Sequence, residues 1–330
     1  MATTTRREEA RVIETAAYLA IVSMLANRAS VTLEALDIKA SELVHRAFKK
    51  SMAKAFESAL AWFLRQKGGV TKDEGVSMAN ILDDENADWY APIKGQWEDL
   101  LLKSYIIGKH RAKKSGAVKR ISLKDILKLT ETIAVAVPGV KGAKVDLSMV
   151  DQSTLEWLAK DANYWYTTGD DVLYTGYGDK ISKIISASTE IGYGRMEVAE
   201  LLKKAFPEVL DSGYRYFDVV SSAGMVRSSS CGAVRQFEEA GIHEYEWFAM
   251  GDDRMCPTCG ALNGKIFQVQ NAASKVNSMM MATSPDAVKE IMPWKSFSAI
   301  DGLDSEELEA IGVSMPPVHG RCRCVLNARQ

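Results

Sequence analysis

The chain has only four histidines in 330 residues, and it lacks the short motifs that mark the commonest catalytic machineries. Neither G-x-x-x-x-G-K-[ST] nor G-x-G-x-x-G occurs, so the usual backbone cradle for nucleotide phosphates is missing. H-E-x-x-H is absent, which removes the metalloprotease helix, and so is the nucleophile elbow G-x-S-x-G. Long apolar runs are also wanting. Thr15–Ala26 is apolar for only twelve residues, whereas a bilayer-spanning helix needs about 20. Arg6, Arg7 and Arg11 before it are balanced by Glu8, Glu9 and Glu14, so it lacks the net positive start of a signal peptide and reads as a buried helix. Neither sign of charge prevails: 41 Lys and Arg face 43 Asp and Glu, for a net charge of −2. That balance excludes a protein that coats nucleic acid over its whole surface and leaves room for a local basic patch.

Against these absences stands one concentrated signal. Four of the five cysteines and one histidine fall in two short pieces, Cys256-Pro-Thr-Cys259 and His319-Gly-Arg-Cys322-Arg-Cys324. Two cysteines at C-x-x-C spacing can hold one ion from a tight turn, and a distant His and Cys can complete a tetrahedron. Cys256, Cys259, His319 and Cys322 supply the four ligands of a closed structural zinc site, with Cys324 as the alternative to Cys322. Two other readings fit the same cysteines: reduced thiols in a core, or disulfides in a secreted protein. The odd cysteine count and the metal-like grouping favour a reducing compartment. A zinc deaminase would place a glutamate two residues after the histidine; here that residue is Arg321. Asp252-Asp253 reads as a solvated turn rather than a catalytic pair, and Cys231, alone in a helical stretch, as a small core residue.

The coarse pattern is α+β and predominantly helical. Residues 7–27 and 40–67 read as two helices, the second with Phe48, Met52, Phe56, Ala59 and Phe63 at helical spacing and Gly68-Gly69 as its stop. Residues 73–100 read as loop plus a short helix. The basic stretch 103–124, broken by Gly108 and Gly116, reads as an exposed linker; its Lys109, Arg111, Lys113, Lys114, Lys119 and Arg120 offer weak, salt-sensitive binding to DNA phosphates. Pro138–Gly142 marks a boundary between an N-terminal helical region, 1–140, and a second domain, 141–330. In the latter, three helices over 150–206, with Pro207 as the stop of the third, precede a helix over 211–240. A strand at 244–250, a second at 265–269 and a tail strand at 323–327 then make a small C-terminal sheet pinned by the Cys/His knuckle.

Read together, Arg227-Ser228, Gly241-Ile242, Trp247, Asp252/Asp253-Arg254-Met255-Cys256-Pro257-Thr258-Cys259, Leu262-Asn263-Gly264-Lys265-Ile266-Phe267 and Pro316-Pro317-Val318-His319-Gly320-Arg321-Cys322-Arg323-Cys324 resemble the phage head morphogenesis family. Its members are minor head proteins similar to the Mu F protein. The resemblance covers roughly residues 150–330. It implies a virion component that is made in the host cytoplasm, associates with the portal protein and other head components, and assists head assembly or DNA packaging and delivery, with no catalytic residues and no membrane contact; it leaves room for a homo-oligomer. Two competing classes are a zinc-containing enzyme, nuclease or toxin-like, and a DNA-binding module built on 103–124.

Overall fold

The computed structural model describes residues 2–115 and 147–329; side chains are described from 33 to 109 and, apart from 163, 167–179, 209, 212 and 285, from 147 to 329. Among the described residues five long helices come first: α1 (Ala2–Arg65), α2 (Asp73–Asn86), α3 (Lys94–Ser115), α4 (Met149–Ile191) and α5 (Arg195–Glu239). The C-terminal region follows as β1 (Glu244–Phe248), α6 (Pro257–Leu262), β2 (Ile266–Gln268), α7 (Val269–Met281), α8 (Pro285–Ile291), α9 (Ser305–Ala310) and β3 (Val325–Arg329). The fold class is the expected one, helices with a small antiparallel sheet of order β2-β1-β3. Among the described residues no helix is long and apolar enough to cross a membrane.

The helices are longer than their sequence signals suggest. Residues 28–39 contain neither glycine nor proline, so nothing interrupts α1 between the two segments read as separate helices. Residues 94–115 are helical rather than loop, because Leu100, Leu101, Ser104, Tyr105 and Gly108 recur at helical spacing on a buried face. Pro207 does not stop a helix; it lies inside α5. An interior proline removes one backbone hydrogen bond, but the flanking turns are held by packing. Phe206 stacks on Phe56 at 4.3 Å, and Val198, Leu202 and Phe217 are buried.

The chain forms two compact units. One comprises Ile38–Asp99 and Ala159–Ser222; the other comprises Met1–Asp37, Leu100–Leu158 and Ala223–Gln330. The sequence boundary at Pro138–Gly142 lies outside the described residues, and each unit takes residues from both sides of it. In the first unit Phe48, Met52, Ala59 and Phe63 are fully buried, so the apolar stripe of α1 is core and not a docking face. Its aromatic centre places Phe48 at 4.9 Å from Phe217, Trp89 at 4.7 Å from Phe217, and Trp97 at 4.9 Å from Tyr166.

The second unit carries the sheet. β1 alternates, with Tyr245 and Trp247 buried between half-buried neighbours, as a strand with one face on a core should. Tyr245 pairs with Phe267 of β2 and Ala328 of β3. Its ring lies between those of Phe237 and Phe267, each 5.9 Å away, and its hydroxyl donates to the Ser314 carbonyl at 2.8 Å. Val325 of β3 packs with Leu33 of α1 and Val226 of α5. The tail strand therefore lies in the core, and this places the segment just before it, His319–Cys324, against the end of β1.

Candidate metal centre

The knuckle is built at the exit of β1. Gly264 N–H donates to the Trp247 carbonyl, Trp247 N–H donates to the Lys265 carbonyl, and Ala249 N–H donates to the Asn263 side chain, each at 2.8 Å. These bonds close the chain around residues 249–263. Cys256 has extended backbone and caps the N-terminus of α6, its sulfur accepting from Cys259 N–H at 3.4 Å; Pro257 occupies the first helical position, where its missing N–H costs nothing. Both sulfurs thus emerge from one helical turn.

The second piece arrives from the start of β3. His319 Nε2 lies 3.2 Å from the Cys256 sulfur and 3.0 Å from the Cys259 sulfur. Its Nδ1 is 2.6 Å from the Gly320 carbonyl. With the proton on Nδ1 donated to that carbonyl, Nε2 presents its lone pair to the two sulfurs, the arrangement a coordinating histidine uses. Cys259 also groups with Cys322 and Cys324, the three sulfurs lying within 4.8 Å of one another. Cys322 is fully buried and Cys324 nearly so. A cavity of about 30 Å³ is lined by Cys256, Cys259, His319 and Cys324, together with Arg254, Arg321 and Arg323. Hydrogen bonds from the Cys259 and Cys324 thiols hold Cys322 well below the usual thiol range, while hydrogen bonds to Cys322 and Cys324 push the Cys259 thiol up. A cation that displaced the thiol protons would find a ready set of donors. Sulfur and imidazole suit zinc and not the hard, oxygen-seeking cations, so the residues present fit a metal ion.

Residues 180–327 match the family model described as Phage Mu protein F like protein. That stretch is Mu F-like. It begins some way after residue 150, where the motif resemblance started, and contains all five candidate metal donors, β1, β2 and the start of β3. No curated protein and no solved structure matches the chain.

Cys256, Cys259 and His319 form one group of possible donors and Cys259, Cys322 and Cys324 a second that shares Cys259, and none of the five cysteines is in a disulfide. Cys231 is fully buried in α5 of the Mu F-like segment. The residues considered for DNA binding fare differently. Lys109 is already occupied: its ammonium lies 2.7 Å from Asp151 and 2.6 Å from Glu239. Asp151 is 1 % exposed and also accepts from Tyr105, at 2.5 Å, and from Ser148. Arg111, Lys113 and Lys114 fall in α3, and Lys119 and Arg120 outside the described residues, so no described side chain of this group faces solvent as a free cation.

Two groupings escaped the sequence. Asp252, read as a solvated turn, is clamped by Arg323, whose two terminal nitrogens donate to its two oxygens at 2.7 and 2.6 Å. Opposite charges beside the two cysteine segments were the available signal. In the other unit, His45 finds partners that the sequence did not show. Its Nε2 lies 2.9 Å from Asp218, 3.4 Å from Ser41 and 3.2 Å from the Tyr214 carbonyl, and Ser41 donates to Asp218. A proton relay needs the two ring nitrogens to face the carboxylate and the nucleophile separately; here one nitrogen meets both.

Proposed function

We propose that this protein is a minor head protein of a tailed phage, bound at the portal during head assembly and carried in the virion, where it assists DNA packaging or delivery. The observation that carries the reading is that the donors of the C-terminal motif, from pieces far apart in sequence, form two groups joined through Cys259 inside the Mu F-like segment. The ion is zinc, held by Cys256, Cys259, His319 and one of Cys322 and Cys324. Four protein donors fill a tetrahedron and leave no position for substrate, so the metal pins the fold and carries no reaction. An assembly protein that must keep one shape against its neighbours is served by such a pin.

The test is co-expression with the cognate portal protein and sedimentation at moderate salt. The expected result is co-sedimentation with portal or head particles, while any bound DNA dissociates as salt is added. Absence from portal and head fractions, together with salt-resistant DNA binding, contradicts the reading.

A further inference from the structure

The metal reading leaves Asp252, Arg254 and Arg323 of the C-terminal motif without a role. Arg323 stands between Cys322 and Cys324, and Asp252 stands four residues before Cys256. The guanidinium and the carboxylate meet fork to fork, at 2.7 and 2.6 Å, across a sequence separation of 71 residues. Asp252 also accepts from the Arg254 backbone N–H at 3.1 Å, and Arg254 reaches Glu34 of α1 at 2.6 Å. A two-point planar pair fixes rotation as well as distance. It therefore sets how the Cys256–Cys259 turn faces the Cys322–Cys324 segment.

Electrostatics points the same way. Three thiolates around a dication leave one surplus negative charge, and Arg254, Arg321 and Arg323 line the cavity that the sulfurs share. The pair is only part-shielded, with Asp252 and Arg323 side chains 33 % and 19 % exposed. As a surface ion pair it would contribute little to global stability. Its position between the two ligand segments is what gives it leverage.

We propose that Asp252 and Arg323 form a positioning clamp for metal uptake: the pair holds the two ligand segments in register before the ion arrives and thereby sets the affinity of the site. This rests on the metal reading above. The test uses the full-length chain, with zinc affinity measured by competition against a chromophoric chelator for wild type, Asp252→Asn, Arg323→Gln and the double variant. Outer-shell partners of metal ligands are typically worth 10- to 100-fold in affinity, so each single variant should bind zinc about 10- to 100-fold more weakly. Because the two residues act as one unit, the double variant should lose no more than either single. Cobalt-loaded samples of all four should keep one tetrahedral thiolate spectrum, since the ligands themselves are untouched. Wild-type zinc affinity in Asp252→Asn, whatever its melting temperature, overturns the clamp, as do losses that multiply in the double variant. A wild type that binds no metal overturns the metal reading and the clamp with it, and that failure is visible in the wild-type arm alone.

Discussion

Gly232→Ala should destabilise the protein although alanine is the better helix former. α3 and α5 cross at backbone contact within the unit that bears the sheet. A β-carbon at Gly232 would overlap the Tyr105 carbonyl oxygen and lie 3.0 Å from its carbon; one at Gly108 would overlap the Ser229 carbonyl oxygen and lie 2.8 Å from its carbon. The obstacles are backbone atoms of a packed helix, so the helices must part. Two serine bonds bridge the same crossing, Ser104 to the Met225 carbonyl at 2.5 Å and Ser228 to the Leu101 carbonyl at 2.8 Å. Losing both costs about 2 kcal/mol, overpacking adds about 1–3 kcal/mol, and the propensity gain returns about 1 kcal/mol. The net expectation is a loss of about 2–4 kcal/mol, measured by urea unfolding of metal-loaded protein. Gly95→Ala, also in α3 but with no atom within 4 Å of a new β-carbon, should be neutral or gain up to about 1 kcal/mol. Equal stability of the Gly232 and Gly95 variants would refute the crossing. The same displacement should reach the sheet, because Val226 of α5 packs on Val325 of β3.

Two further outcomes follow from packing. Burial pushes the Lys275 ammonium down to about 8 from its ordinary 10.5, while it donates to the Gly312 carbonyl and Ser314 hydroxyl at 2.6 and 2.8 Å. The unfolded chain then binds more protons than the native one between those values, so stability should rise from pH 8 to 10.5 by up to about 3 kcal/mol; urea midpoints of Lys275→Met should lack that increment. A chain cut once between residues 116 and 146 should still run as one particle in gel filtration, because each compact unit takes residues from both sides of the cut. Release of a folded 141–330 fragment would instead support the boundary drawn from Pro138–Gly142.

The sheet and the knuckle were legible because their signals are local. Tyr245 and Trp247 alternate with polar neighbours, Asn263-Gly264 marks the turn, and C-x-x-C names its own chemistry. Helix extents were not legible. Pro207 carries a stop signal that Phe206, Leu202 and Phe217 override by burial, and the charges of 103–115 mask the packed face made by Ser104, Tyr105 and Gly108. Pairings across long sequence gaps were hidden for a related reason. Lys109 looks like a free phosphate partner until Asp151 and Glu239 are placed beside it, and Asp252 looks solvated until Arg323 arrives. The division into units is discontinuous along the chain, and no composition shift reports it.

In the proposed reading one metal ion closes the Cys/His set of the Mu F-like segment. Elemental analysis of protein purified without chelator tests it most directly. One zinc per chain is expected, retained through gel filtration, and lost in Cys256→Ser together with a marked fall in melting temperature. No stoichiometric metal in the wild type, or a Cys256→Ser variant that melts with the wild type, would contradict it.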